Sequence, residues 1–287
     1  MNKNYKLLYY GICTGFVLLA IIFFFCDLDI SKALASDNPN FVYQLLAAIG
    51  EFPIYIGPIL FGLVFSRTIE SKCRRLMFGF IGFVGTYLAL MRLSNGILEE
   101  FFNAVMISRG YILLAIASLL IYVLLFRLIS GVDIKTLYKI QDVACMYLIV
   151  AISSFLVVLV MKYTWGRPRF RVLSNEYEGY VNFLRISGLK NSLLGDEYLS
   201  FPSGHTNAAT SIIIFSIIPK RMGWKKWIRI FVFSVCLVYP CLVGISRIGV
   251  GAHYASDVLF GGFISLGCLF ITYMIFKKRG WLYVRGD

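Results

Sequence analysis

The sequence predicts an all-α, polytopic transmembrane helix bundle of about eight spans. Three observations lead there. Hydrophobic residues make up 59% of the 287 and charged ones 15%, against about a quarter charged in soluble domains. Apolar runs long enough to cross a bilayer recur along the whole chain. Lys and Arg collect in alternate connections between those runs, as they do in cytoplasmic loops.

The candidate spans are 7–26, 44–65, 76–97, 111–130, 141–161, 204–219, 230–247 and 257–276. The first follows Lys3 and Lys6. Ala33-Leu34-Ala35 resembles a signal-peptidase site, yet the run is long for a signal peptide, and Asp27, Asp29 and Lys32 intervene. A retained first span is the expectation; the sequence leaves open whether it is ever cleaved. The second span carries Glu51, Pro53 and Pro58, and the third carries Arg92. If neither crosses, six spans remain with the same sidedness. The sixth is short unless its helix begins at Pro202. Glycines 79, 82 and 85, and 261, 262 and 267, predict close helix packing. The chain divides into N-terminal helices at 1–140 and a chemistry-bearing bundle at 141–287, with one long connection at 162–203.

Alternating the spans places 18 of the 28 basic residues on the side of the termini and eight on the other. Both termini are therefore expected in the cytoplasm, in a multi-pass plasma-membrane protein, with the long loop outside. The net charge of +13 follows this topology and does not point to nucleic acid. Seven cysteines without Cys-x-x-Cys spacing read as small apolar residues.

The polar residues at the outer ends of the late spans carry the chemistry. His253 and Asp257 stand four apart, so on a helix they share one face and the carboxylate can fix the imidazole tautomer. Read alone, such a pair is more simply an anchor for a helix end. Pro202-Ser203-Gly204-His205 precedes the sixth run, where free N–H groups of a helix start favour an anion; an ordinary helix start capped by Ser203, with His205 incidental, is an equal reading. Lys162, Arg167, Arg169 and Arg171 lie within ten residues, outside, against the usual charge bias. Arginine forks match phosphate oxygens in pairs. Together the three clusters hold the parts of phosphoryl transfer: a nucleophile with its orienting partner, a second histidine for acid and base work, and a cationic cradle.

These residues resemble the type 2 phosphatidic acid phosphatase family, whose signature is Lys-x6-Arg-Pro, then Pro-Ser-Gly-His, then Ser-Arg-x5-His-x3-Asp. Lys162 and Arg169 have the first spacing, Pro202 to His205 form the second motif, and Ser246, Arg247, His253 and Asp257 form the third. Phe170 stands where the first motif has proline, while Pro168 lies two residues earlier, so a register using Arg167 is also open. The resemblance covers about residues 160–260. It implies that His253 attacks phosphorus, held by Asp257, and that His205 protonates the leaving oxygen and then activates water. Lys162, Arg169, Arg247, Ser203 and N–H groups including that of Gly204 would bind the phosphoryl oxygens, with no metal and no cofactor.

The expected partners are the bilayer and a lipid phosphate or diphosphate of the polyprenyl diphosphate, phosphatidate or phosphatidylglycerol phosphate class. Two alternatives stand beside hydrolysis: a lipid phosphotransferase using the same intermediate, and a non-catalytic lipid-binding or transport protein. Oligomeric state is not set. Glu51 is left between an intramembrane functional carboxylate and a bend at the interface. Arg92, Glu99 and Glu100 read as helix-end residues, and Glu176, Glu178, Asp196 and Glu197 as counter-charges of the long loop.

Overall fold

The computed structural model describes residues 3–282 apart from 103, 105 and 175. Long helices dominate because nearly every apolar run lacks an internal breaker and satisfies its own backbone polar groups, as a bilayer demands. In chain order they are α1 (Lys3–Leu34), α2 (Phe41–Ile49), α3 (Phe52–Thr68), α4 (Lys72–Phe102), α5 (Ser108–Ser130) and α6 (Ile134–Trp165). After the long connection with its short α7 (Leu189–Ser192) come α8 (Gly204–Thr210), α9 (Ile218–Arg221), α10 (Lys226–Gly249) and α11 (Ala255–Lys278). Among the described residues, seven segments are long and apolar enough to cross a membrane, α2 and α3 counting as one. The protein is an all-α polytopic bundle.

The expected sixth span takes another form. Helical backbone runs without a gap from Gly204 to Arg221, but its middle, Ser211–Ile217, is a 3₁₀ helix between α8 and α9. Ser211 turns its hydroxyl back to the Ala208 carbonyl, and isoleucines at 212, 213 and 214 crowd the turn. A 3₁₀ helix rises about 2.0 Å per residue against 1.5 Å, so this short segment still reaches roughly 30 Å, a hydrocarbon thickness. It runs antiparallel to α6. Asn207 donates to Ser154 Oγ at 3.1 Å, Ser211 Oγ lies 3.2 Å from Tyr147 Oη, and Arg221 pairs with Asp142 near the start of α6.

Tyr147 ties three segments together, since its hydroxyl also donates to the Pro53 carbonyl at 2.6 Å. Around it Val143, Met146, Ile214 and Phe276 form a fully buried core. α3 lies against α4 and α6. A Cβ on Gly62 would stand 2.4 Å from Gly82 Cα, so α3 and α4 touch through glycine backbone. The expectation of close packing holds at Gly82, Gly85 and Gly261, whereas Gly267 has nothing within 4 Å.

Successive segments run up and down. One end of the bundle therefore gathers the C-terminal ends of α1, α4, α6 and α10 with the N-terminal ends of α3, α8 and α11. Both histidine motifs lie at that end.

Candidate active site

The third motif is assembled by a turn. α10 ends at Gly249, and Gly251 sits at φ +67, a left-handed conformation that glycine adopts without strain. The Arg247 carbonyl then accepts both the Ala252 and the His253 N–H at 3.1 Å, folding His253 back over the arginine. This turn is the physical content of the five-residue spacing between them. Asp257 comes one turn into α11, where its carboxylate accepts the Tyr254 N–H at 2.9 Å and caps the helix. His253 precedes α11, so the pair does not share a helix face as the spacing predicted. The cap itself brings them together, with His253 Nδ1 3.5 Å from Asp257 Oδ2.

Asp257 is completely buried and has further partners. Ser200 Oγ donates to it at 2.5 Å and Arg167 Nη1 at 2.5 Å. Arg167 is equally buried, and its other nitrogens reach Asp27 of α1 at 2.8 Å and the Val181 carbonyl at 2.8 Å. Ser256 closes the ring by donating its N–H to Asp27 at 2.8 Å, while the guanidinium lies 3.9 Å from the Tyr254 ring centroid. Each of the three charged groups, Asp27, Arg167 and Asp257, is paired, the condition under which buried charge is tolerated.

The two registers open in the first motif are separated by Gly166, which ends α6 at φ +56 and turns the chain. Arg167 goes behind Asp257. Arg169 stays in front, facing His253, Lys162 and Arg247. Its guanidinium donates to Asp196 at 2.5 Å, and Lys162 Nζ donates to the Leu199 carbonyl at 2.8 Å. Phe170 packs its ring against Tyr177 and Tyr254. Arg171 forks onto Glu197 at 2.5 and 3.0 Å, which holds that carboxyl below its usual range. Arg247 reaches Glu100 at 3.0 Å, and its Nε is buried without a protein partner among the described residues. Burial pushes the His253 imidazole well below its ordinary pKa, and Arg169, Lys162 and Arg247 push the same way against the opposing Asp257 hydrogen bond. His253 is thus a neutral imidazole at physiological pH, the form with a free lone pair.

The second motif meets the third across a helix contact. Ser203 caps α8, accepting from the Thr206 N–H at 3.4 Å and its hydroxyl at 3.1 Å, and its own N–H donates to the Asp257 carbonyl at 2.9 Å. That N–H is therefore committed to α11. A Cβ on Gly204 would stand 3.4 Å from Glu51 Oε1 and 3.9 Å from Lys162 Cε. His205 Nδ1 lies 3.0 Å from Glu51 Oε1.

All eight residues singled out by sequence thus converge on one end of the bundle. Asp27, through Arg167, and Glu51, Arg92, Glu100 and Ser200, directly, reach them as well, and the motifs contain none of these. Charge within or at the edge of an apolar run was the one signal available for the first four.

A polytopic helical membrane protein with two histidine–carboxylate contacts beneath a cluster of buried cations is the class that fold and site define. Residues 143–281 match the model of the PAP2 superfamily. Phosphatidylglycerophosphatase B of Bacillus subtilis (strain 168) is 38% identical over 79 residues, which is 27% of this chain and 38% of that protein's length. No solved structure matches the chain.

Proposed function

We propose that this protein is an integral-membrane lipid phosphatase that works through a phosphohistidine. The observation that carries the reading is the buried His253 beside Asp257, facing Lys162, Arg169 and Arg247. The match of residues 143–281 to the PAP2 superfamily model and the likeness to a phosphatidylglycerophosphatase support it.

Asp257 near Nδ1 orients the ring and leaves Nε2 as the nucleophile. Nε2 attacks phosphorus in line while the three cations and the Gly204 N–H hold the equatorial oxygens. The bond from phosphorus to the lipid oxygen breaks, and protonated His205 gives that oxygen its proton. Neutral His205 then takes a proton from water, whose oxygen attacks the phosphohistidine. Inorganic phosphate leaves and both imidazoles are regenerated. No step runs through a metal.

The substrate is a lipid with a terminal phosphate or diphosphate. Phosphatidylglycerol phosphate, phosphatidate and polyprenyl diphosphate all present that group. The charge bias of the loops supports a plasma-membrane protein with cytoplasmic termini and the site facing outward.

The test is phosphate release from these three lipids by purified protein in excess chelator, wild type against His253→Ala. Activity in chelator and its loss in the variant are expected. Full activity of His253→Ala would remove the mechanism, and loss on chelation would show that a metal takes part. A reporter placed in the 162–203 loop tests sidedness, and a cytoplasmic signal there would reverse it.

A further inference from the structure

His205 is held from two sides by residues of the N-terminal helices, outside the matched region. Its Nδ1 lies 3.0 Å from Glu51 Oε1, and its Nε2 lies 3.4 Å from Arg92 Nη2. A guanidinium only donates. Toward Arg92, Nε2 therefore presents its lone pair, and the single proton of the neutral ring sits on Nδ1, where Glu51 accepts it. Two neighbours on opposite sides of the ring specify one tautomer, and it leaves Nε2 as the working atom. Arg92 also donates from its Nε to Glu51 Oε2, which leaves Oε1 turned to the ring.

The charges facing His205 are Arg247 from α10, Glu51 from the α2–α3 break and Arg92 from α4, with Lys162 of α6 beside the adjoining Gly204. Three of these four are cations, and each opposes protonation of the ring. Glu51 is the anion that offsets them. Without it, an imidazolium at this position would have no counter-charge among the described residues facing it.

The placement of Glu51 is built into the backbone. α2 stops at Ile49 and α3 starts at Phe52, with Pro53 in its first turn. The break at Gly50 lies so close to the site that a Cβ there would stand 2.8 Å from Val243 Cγ1 and 3.3 Å from His205 Cδ2. On the other side, a Cβ on Gly96 of α4 would stand 2.6 Å from the Ala48 carbonyl. Glycine on both faces lets the broken segment press its carboxylate between α4 and α8.

We propose that Glu51, pinned by Arg92, is the positioning carboxylate of His205. The site then runs on two carboxylate–histidine pairs, Asp257 with His253 for the nucleophile and Glu51 with His205 for acid and base. The inference rests on the phosphohistidine reading above. Glu51 stabilises the imidazolium that protonates the lipid oxygen from Nε2. It then holds the same tautomer while Nε2 takes a proton from water. The Nδ1 proton stays on the ring and Glu51 stays ionised throughout.

Leaving-group chemistry gives the test. A lipid alkoxide must be protonated as it departs, whereas a nitrophenolate departs unprotonated. Single-turnover formation of the phosphoenzyme is measured with dioctanoyl phosphatidate and with para-nitrophenyl phosphate, for wild type, Glu51→Gln, Glu51→Asp and His253→Ala. For Glu51→Gln, formation from the lipid is expected to slow by about 10²-fold, the lower range for general acid catalysis, and formation from the aryl ester by under about threefold. Glu51→Asp keeps a charge one methylene short and is expected to show the same bias at about tenfold. Equal losses on the two substrates, or none, in whichever of these variants folds would overturn the proposal. Phosphoenzyme formed by His253→Ala would overturn the phosphohistidine reading instead, so the two failures are distinct.

Discussion

Asp27 and Asp257 lie 230 positions apart and share one guanidinium, that of Arg167, at 2.8 and 2.5 Å. All three side chains are fully buried. The first helix thereby acts on the orientation of His253 through Arg167 and Asp257. Removing one partner of such a network leaves a buried charge uncompensated and costs roughly 3–5 kcal/mol. Asp27→Asn is expected to lower the melting temperature in detergent and to reduce kcat with little change in KM. Arg167→Lys is expected to behave in the same way, because an ammonium cannot span both carboxylates. Wild-type melting and kcat in both variants would show that the network is dispensable.

In the proposed mechanism Arg169 is a cation whose counter-charge a substrate must displace. Its partner Asp196 is 67% exposed and can swing away into solvent. An exposed pair is worth about 0.2–1 kcal/mol, up to about fivefold in an equilibrium constant. Asp196→Asn is accordingly expected to lower KM by about two- to fivefold with kcat unchanged, since the carboxylate competes with phosphate for the same fork. Initial-rate measurements across lipid concentration decide it, and a higher KM would mean that Asp196 organises the loop.

Folding of His253 as a neutral ring links stability to pH. In the unfolded chain the ring takes up a proton below its ordinary pKa of about 6.5, while burial and the three cations keep the folded ring unprotonated. The unfolded state then binds more protons, so this contribution is fully present above pH 6.5 and is lost as pH falls, at about 1.4 kcal/mol per pH unit. Thermal melting from pH 7.5 to 5.0 is expected to fall more steeply for wild type than for His253→Asn. Parallel slopes would place the ring in water.

Residues close in sequence were readable in advance because local geometry joins them. The turn at Gly251 and the cap at Tyr254 use only neighbours, so Arg247, His253 and Asp257 could be grouped from spacing. Seven spans followed from run length alone. What could not be read were pairings made by packing. Asp27 reads only as a charge following an apolar run, and Glu51 as either a functional carboxylate or a bend, because nothing local shows that α1 passes Arg167 or that the break after α2 faces His205. The sixth span was hard for a different reason. Its residues are apolar enough, but the gain in rise comes from 3₁₀ geometry that hydrophobic pattern does not encode.

The contact that joins the two histidine motifs is glycine against backbone. A Cβ on Gly261 of α11 would stand 2.3 Å from the Ser203 carbonyl oxygen, beside the hydrogen bond from Ser203 N–H to the Asp257 carbonyl. Gly261→Ala must push α11 away from α8, and overpacking of this kind costs about 1–3 kcal/mol. Asp257 lies one helical turn before Gly261, and His205 two residues after Ser203, so the same shift separates the proposed nucleophile from the proposed acid. A misplacement of about 1 Å costs on the order of 10²-fold in rate, and kcat is expected to fall by that much in protein that still folds. Gly267→Ala on the same helix is the control. Its Cβ meets nothing within 4 Å, and replacing a helical glycine by alanine gains up to about 1 kcal/mol, so melting is expected to rise with kcat unchanged. Full activity in Gly261→Ala would mean that α8 and α11 can slide without disturbing the histidines, and that their contact does not set the geometry of the site.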